Sequence, residues 1–407
     1  MNPLSKGHLS TLIALLMVLF CLNYMDRSAI SYAIDPIRQQ FNLSNTAFGL
    51  LSSMFAGGYI LFSSLGGLIA DSYGARRTLW GAALAWSVLC ILMGFASVFW
   101  LLVVLRFLLG VAESPGFPSL TRFIADHIPV QSRAKTLSMN LAVVPFASAL
   151  GAPLITTLLR HYNWQVTYII LGSVGILVAM LWRFCYKTPH ISPSPRAPIQ
   201  WDKLLYLLKC KPLLANNIAF FAFGYFLFFS LTWLPGFLLK VYQLDLKTVG
   251  WLLSLPWLCA TVSLIAGGLL SDYLLAKTKN LRLARSHLIW IAQLFSVCSL
   301  VPILFYHRLD VTIISLCLAL SFCLFPNSIA YSLNIDLAEG NAATSLGLMN
   351  SFFALAGILA PIVTGAFIDL TGNFNSAFYL VIGITLISII TVLCWQRPLS
   401  AKQTSVE

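Results

Sequence analysis

Residues 66–77 read GGLIADSYGARR: small residues, an acid, a glycine and a pair of arginines, set between two long apolar runs. Within it Gly67, Asp71, Gly74, Arg76 and Arg77 are spaced as Gly-x-x-x-Asp-x-x-Gly-x-Arg-Arg. A small residue lets two helices approach closely, and Asp71 at a helix end can accept from backbone N–H groups or pair with Arg76 or Arg77. That pairing is expected to latch the inner face, while the two arginines would also stand there under the positive-inside rule alone. The second half repeats the start of the pattern as Gly268-x-x-x-Asp272, followed by Arg282 and Arg285.

Outward from these loops the chain is almost continuously apolar. Of its 407 residues 59% are hydrophobic and 9% charged, and the mean hydropathy is +0.85, whereas about a quarter of the residues of a soluble globule are charged. A span needs roughly 20 apolar residues, so this length has room for about a dozen. Hydropathy places twelve, near 9–34, 45–70, 78–96, 98–121, 136–159, 163–185, 213–239, 247–271, 286–306, 311–334, 343–368 and 375–395. The expected fold is therefore an all-α membrane protein of twelve transmembrane helices in two six-helix bundles. Residues 1–186 form the first bundle, 187–211 a proline-rich cytoplasmic linker, 212–396 the second bundle and 397–407 a cytoplasmic tail. Internal symmetry of this six-plus-six kind marks transporters whose halves rock about a site near the midplane.

The net charge of +12 is a topology signal. Of the 25 Lys and Arg, the outer loops hold only Arg38, Arg160, Lys240, Lys247 and Arg308, two more lie inside spans, and the rest gather on the inner side. This places both termini in the cytoplasm, and with no solvated domain to carry the charge it excludes a nucleic-acid partner. The first apolar run continues without a small-residue cleavage site into Asn23–Ser28, so it reads as a real first span. Nine cysteines without metal-ligand spacing read as free thiols, and no metal or other cofactor is expected. No Ser/His/Asp set or phosphate loop stands at helical spacing within the spans, so no catalytic residues and no enzyme are expected. A non-transporting sensor would need a soluble output domain, for which these residues leave no room.

Four ionisable groups lie deep in apolar spans: Asp26, Arg27, Arg106 and Glu113. Facing lipid, each would cost about 2.5 to 3.5 kcal/mol at the bilayer centre, so all four should face a shared interior. Arg106 and Glu113, seven residues apart, share one helix face roughly 10 Å apart along the axis. Asp26 and Arg27 are about 100° apart, so one can face a cavity while the other faces a neighbouring helix. Fully ionised, the four sum to zero. Neutralising either acid makes the site positive, and a small organic carboxylate then finds a bidentate partner in Arg27. Proton and anion would favour each other's binding by linkage. The plainer alternative is that the four groups merely tie the first and fourth spans together, although buried pairs stabilise poorly against apolar replacements.

Further candidates surround them. Tyr24 and Tyr59 can donate to a carboxylate or hydroxyl, or simply pack. Tyr225, Phe229 and Trp233 stand at i, i+4 and i+8, a stripe that could close over substrate but suits packing equally well. Asn327 and Asn350 are intramembrane amides, open to ligand or helix contact, whereas Asn334 and Asp336 are expected in a solvated loop entry. Ser114-Pro115-Gly116-Phe117-Pro118 should break the fourth span just after Glu113, and Pro235-Gly236 should break the seventh.

The twelve-span plan and the Gly-x-x-x-Asp-x-x-Gly-x-Arg-Arg loop resemble the major facilitator superfamily over essentially the whole chain. Within it, Asn23-Tyr24-Met25-Asp26-Arg27 and Arg106-(x6)-Glu113-Ser114-Pro115-Gly116-Phe117-Pro118 resemble the anion:cation symporter family, with Phe229-x-x-Thr232-Trp233-Leu234-Pro235 the best match in the second half. That family includes galactonate, glucarate and hexuronate permeases and sialin-type carriers. The resemblance implies that Arg27 contacts the substrate carboxylate, that Asp26 and Glu113 carry protons, and that Arg106 modulates Glu113. The sugar-acid permeases share a Tyr at the position of Tyr59 but place a Gln in the fifth span where this chain reads Ala142-Val143-Val144-Pro145-Phe146. An apolar wall there favours a less hydroxylated carboxylate. The expectation is a monomeric proton-driven symporter of the cell inner membrane, importing a small organic anion. The rival is a proton-coupled antiporter exporting a metabolite or drug. Topology is checked with reporters: a fluorescent protein fused to the C-terminus should fluoresce and alkaline phosphatase fused there should stay inactive. The reverse pair of results would invert the assignment.

Overall fold

The computed structural model describes residues 6–128, 130–186, 207–338 and 342–396. The expected linker, up to residue 206, and the expected tail 397–407 lie outside the described residues, as do the side chains of Gly67 and Asp71. The described chain is helical throughout. α1 (Lys6–Tyr32) leads through short α2 (Ile34–Phe41) to α3 (Asn45–Met93); α4 (Phe99–Glu113) and α5 (Gly116–His127) follow, then α6 (Val130–His161) and α7 (Trp164–Cys185). The second half holds α8 (Lys211–Val241), α9 (Leu246–Thr278), a π-helical turn Arg282–Ser286, α10 (His287–Phe305), α11 (Leu309–Leu324), α12 (Asn327–Leu337), α13 (Ala342–Thr371) and α14 (Asn375–Trp395).

Local chemistry fixes many helix starts. Ser44 caps α3 by accepting from Ala47 N–H, and Asn163 caps α7 by accepting from Val166 N–H, which satisfies otherwise orphaned donors. Asp245 accepts from Thr248 Oγ1 and from the N–H groups of Lys247 and Thr248 ahead of α9. These bonds, that of the Thr248 hydroxyl foremost, hold its carboxyl below the usual carboxylate range. Eleven stretches of the described residues are long and apolar enough to cross a bilayer. The expected third span is the far limb of α3, which bends at Gly74 with φ 79° and ψ 154°. No side chain tolerates that conformation well, so glycine is required where the chain turns between the two limbs. Leu61, Trp100, Leu177, Val262 and Leu370 stand exposed on the helices, as side chains do when hydrocarbon is the surrounding solvent.

The molecule divides into two compact units. One comprises Met1–Ala197 with Leu244–Trp251, and the other Pro198–Gln243 with Leu252–Glu407. In the first, α3 packs along α4 and α7 while α1 packs along α6; in the second, α8 packs along α13 and α14, and α10 along α11 and α14. The tightest seam of the first unit pairs Gly58 of α3 with Gly110 of α4. A Cβ on either would collide with the facing carbonyl oxygen, Phe107's against Gly58 and Phe55's against Gly110. This approach sets the depth at which α4 presents its charged residues to α3.

The structure revises several expectations. Asn334 and Asp336 do not stand in a loop: α12 continues through both, and Asn334 is fully buried, whereas Asp336 is exposed as expected and lies 3.6 Å from Arg285. Nor does Pro235 break α8, which runs unbroken to Val241; a proline removes one donor without obliging a helix to end. The break after Glu113 is present as expected, α4 ending there and α5 starting at Gly116.

Replacing Gly110 by Ala is expected to destabilise the first unit by about 1 to 3 kcal/mol through overpacking, lowering the thermal midpoint in detergent. The control Gly81→Ala, where a Cβ meets nothing within 4 Å, should not lower it.

Candidate substrate and proton site

Phe20, Asn23, Tyr24 and Arg27 fall at i, i+3, i+4 and i+7 of α1, so a single helix face carries all four. That face lines a small recess inside the first unit. Tyr59 and Trp86 enter it from the two limbs of α3, Glu113 from the end of α4, Gly116, Phe117 and Leu120 from α5, and Asn140, Leu141 and Val144 from α6.

The recess is organised by one ion pair. Arg27 Nε donates to Glu113 Oε2 at 2.6 Å, the Glu113 side chain being fully buried and that of Arg27 17% exposed. Aromatic faces hold the guanidinium in place: Tyr24 at 4.5 Å, Phe55 at 4.7 Å and Tyr59 at 5.2 Å from its carbon. Each such contact is worth about 0.5 to 2 kcal/mol, more when desolvated. The Phe55 ring also lies 5.6 Å from the Arg106 guanidinium, so one ring serves both arginines.

The neighbouring acid is turned the other way. Asp26 is absent from the recess lining and 1% exposed; Arg106 is 3% exposed. The Cys90 thiol of α3 lies against the Asp26 carboxyl, with Arg106, Glu113 and Arg27 as its charged neighbours. No N–H or O–H donor among the described residues reaches either Asp26 oxygen, and Arg106 Nε and Nη1 also lack partners. Left bare, each such atom costs about 1 to 3 kcal/mol, more when charged. The roughly 100° between adjacent helical residues thus sorts Arg27 from Asp26: Arg27 meets Glu113 at the recess, and Asp26 is sealed behind it.

The remaining sequence candidates belong to the second unit or to the inner loops. Tyr225, Phe229 and Trp233 are buried in helix packing, Phe229 edge-on to Phe378 at 5.4 Å and the Tyr225 hydroxyl 3.2 Å from Thr364 Oγ1. The stripe forms core in this structure rather than a cover over an opening. Asn350 accepts from the Tyr331 hydroxyl at 3.2 Å, a helix-to-helix bond between α13 and α12. Asp272 accepts from Arg285 Nη1 at 3.0 Å, and the same guanidinium donates to Ser271 Oγ at 2.7 Å and faces Asp336. In the first half Arg76 donates to the Arg183 carbonyl at 3.1 Å and accepts at its own carbonyl from Trp182 Nε1 at 3.3 Å, which ties the loop beyond Gly74 to the end of α7; Arg77 stands exposed beside it.

Sequence reasoning missed several members of the site. Asn23, Trp86 and Asn140 line the recess, each with a buried polar atom lacking a partner: Asn23 Oδ1, Trp86 Nε1 and Asn140 Oδ1. Asn140 modifies the expectation of an apolar fifth-span wall, since it adds an amide beside Leu141 and Val144. Its signal was an amide inside a span; Trp86 and Phe55 gave none, because an aromatic residue in an apolar helix reads as packing.

Residues 16–338 match the Major Facilitator Superfamily. The chain belongs to that superfamily. This superfamily member is 30% identical over 398 residues to a hexuronate transporter of Bacillus subtilis, covering 95% of this chain and 94% of that protein. It is 29% identical to a probable sulfoacetate transporter, SauU, of Cupriavidus necator, covering 90% and 89%. To a probable galactarate/D-glucarate transporter, GudP, of Escherichia coli it is 25% identical, covering 94% and 92%. Its fold matches the crystal structure of a bacterial homolog of the human lysosomal transporter Spinster with a TM-score of 0.80 at 16% identity, covering 97% of this chain and 98% of that one. The fold and the relatives are those of multi-pass membrane transporters, not enzymes.

The ion pair predicts a non-additive stability pattern. Arg27→Met should destabilise by about 3 kcal/mol, because it leaves a buried carboxylate alone. Arg27→Met combined with Glu113→Gln should recover much of that loss, as read by thermal unfolding of the purified protein.

Proposed function

We propose that this chain is a secondary active symporter that carries a small organic anion inward together with protons, by alternating access of bundles 1–186 and 212–396, as a monomer of the cell inner membrane with both termini cytoplasmic. The observation that carries the reading is the Arg27–Glu113 pair at the recess wall. While Glu113 is ionised it occupies the guanidinium. When Glu113 takes a proton the pair loses its attraction, and Arg27 presents its planar fork to a substrate carboxylate. By linkage the bound anion in turn favours the protonated acid. Tyr24, Tyr59 and Asn23 stand around the same guanidinium, and the unpartnered Trp86 N–H and Asn140 Oδ1 supply one donor and one acceptor for hydroxyls or a second acid group.

The relatives support the anion class. The substrates in their names, hexuronate, sulfoacetate and galactarate/D-glucarate, are small molecules bearing at least one acid group. Asp26 with Arg106 forms the second protonatable pair. The inner latch is assigned to Asp272 with Arg285 and Asp336 in the second half, and to Gly67, Asp71, Gly74, Arg76 and Arg77 in the first.

The test is uptake into right-side-out vesicles under an inward proton gradient, with labelled glucuronate, glucarate and sulfoacetate. At least one should accumulate, more strongly as the outside is acidified, since lower pH favours neutral Glu113. Glu113→Gln should keep counterflow exchange while losing gradient-driven accumulation. Arg27→Lys should weaken binding about tenfold or more, because a point charge does not replace the fork. Expulsion of all three anions under the same gradient would instead indicate an antiporter.

A further inference from the structure

Behind the recess, α1, α3, α4 and α7 bring together a second set of buried polar groups, of which the transport reading uses Asp26 and Arg106 but neither Cys90 nor Tyr168. Asp26 comes from α1, Cys90 from α3, Arg106 from α4 and Tyr168 from α7. Tyr168 counts Arg106, Cys90 and Asp26 as its electrostatic neighbours, and Cys90 counts Asp26, Glu113 and Arg106. Tyr168 is 1% exposed and its hydroxyl has no partner, as Arg106 Nε and Nη1 have none, and the Asp26 oxygens meet no donor but the Cys90 thiol. None of these four residues lines the recess. The Tyr168 ring is held edge-on to Trp164 at 6.3 Å, and the Trp164 indole N–H is fixed by Gln40 Oε1 at 2.9 Å, so the hydroxyl is presented from a rigid mount.

Two opposite charges buried in one neighbourhood with no ion pair between them, each with polar atoms that meet no N–H or O–H partner, form a poor arrangement unless something small and polar joins them. The acceptors on Asp26 and Tyr168 and the donors on Arg106 and Tyr168 match the few hydrogen bonds that a buried water makes. We propose that Asp26, Cys90, Arg106 and Tyr168 enclose an internal hydration site, in which ordered water bridges the Asp26 carboxyl to the Arg106 guanidinium and the Tyr168 hydroxyl, and that Tyr168 is a positioning residue for the proton on Asp26. The hydration site stands on the burial and unpartnered polar atoms of these neighbouring groups, whereas the role given to Tyr168 rests on the proton-coupled reading. The two acids then answer to different partners. Glu113 answers to Arg27 and the substrate; Asp26 answers to Arg106, Tyr168 and Cys90, with Arg27 and Glu113 alongside.

Radiolytic hydroxyl-radical labelling of the purified full chain tests the site, because radicals formed from bound water mark the side chains that touch it. Tyr225 is the internal control: it is 2% exposed and its hydroxyl is bonded to Thr364. Tyr168 should label several-fold faster than Tyr225, and equal or slower labelling overturns the hydration site. Tyr168→Phe, which keeps the ring and removes the hydroxyl, tests the positioning role. It should retain glucuronate counterflow and the wild-type thermal midpoint while shifting the pH profile of gradient-driven accumulation; a superimposable profile overturns that role. Should the wild type accumulate no anion under the gradient, the coupling reading and the role of Tyr168 fall together, and the labelling ratio still decides the site.

Discussion

An arginine cannot shed its charge at any pH a cell reaches, and Arg27 stands among aromatic rings in the interior of a membrane protein. It therefore demands an anion. In this structure Glu113 supplies that anion at 2.6 Å, and the rest of the recess can be understood as the setting in which another anion could take its place. On the proposed reading, a carboxylate that accepts a proton can let the arginine go without leaving its own charge stranded. The surrounding rings matter as much. They favour the cation through their π-faces.

Helix packing delivers these groups to one place. The four-residue stripe on α1 faces the recess, whose far wall is supplied in part by α6, along which α1 packs. The Gly58–Gly110 seam draws α4 against α3 closely enough for Phe55 to touch both guanidinium groups. The chain breaks directly after Glu113, so the carboxylate stands at a helix end rather than midway along a wall. Two helices thus present two different acids: Glu113 at the end of α4 meets the recess, and Asp26 of α1 is sealed behind it.

The second unit is built differently. Among the described residues several buried contacts between its helices are made by neutral groups: Asn216 donates to the Ala330 carbonyl at 3.0 Å, Gln293 accepts from Ser388 at 3.0 Å, and Tyr225 meets Thr364. Its buried charge, Arg285, lies toward the inner end with Asp272 and Asp336. Charge chemistry is thus concentrated in the first unit, while the second combines an aromatic core with an ionic clasp. That division suits a transporter in which one half senses the anion and the other completes the path.

Composition, the repeated Gly-x-x-x-Asp loop and hydropathy determined the class, the span plan and the four membrane charges. Burying backbone in hydrocarbon leaves helices as the way to satisfy it, and the expense of intramembrane charge makes those four residues conspicuous. Helical spacing also showed that Asp26 and Arg27 could not point the same way. Which of them faces the recess depends on how α1 is rotated against α3, α4 and α6, and no local pattern specifies that rotation. The same holds for Trp86, Asn140 and Tyr168, and for the aromatic stripe of α8, which turned out to be core. An aromatic or amide side chain looks alike in sequence whether it packs, bonds a neighbouring helix or lines an opening; only the tertiary contacts distinguish these fates, because each depends on what a different helix places opposite.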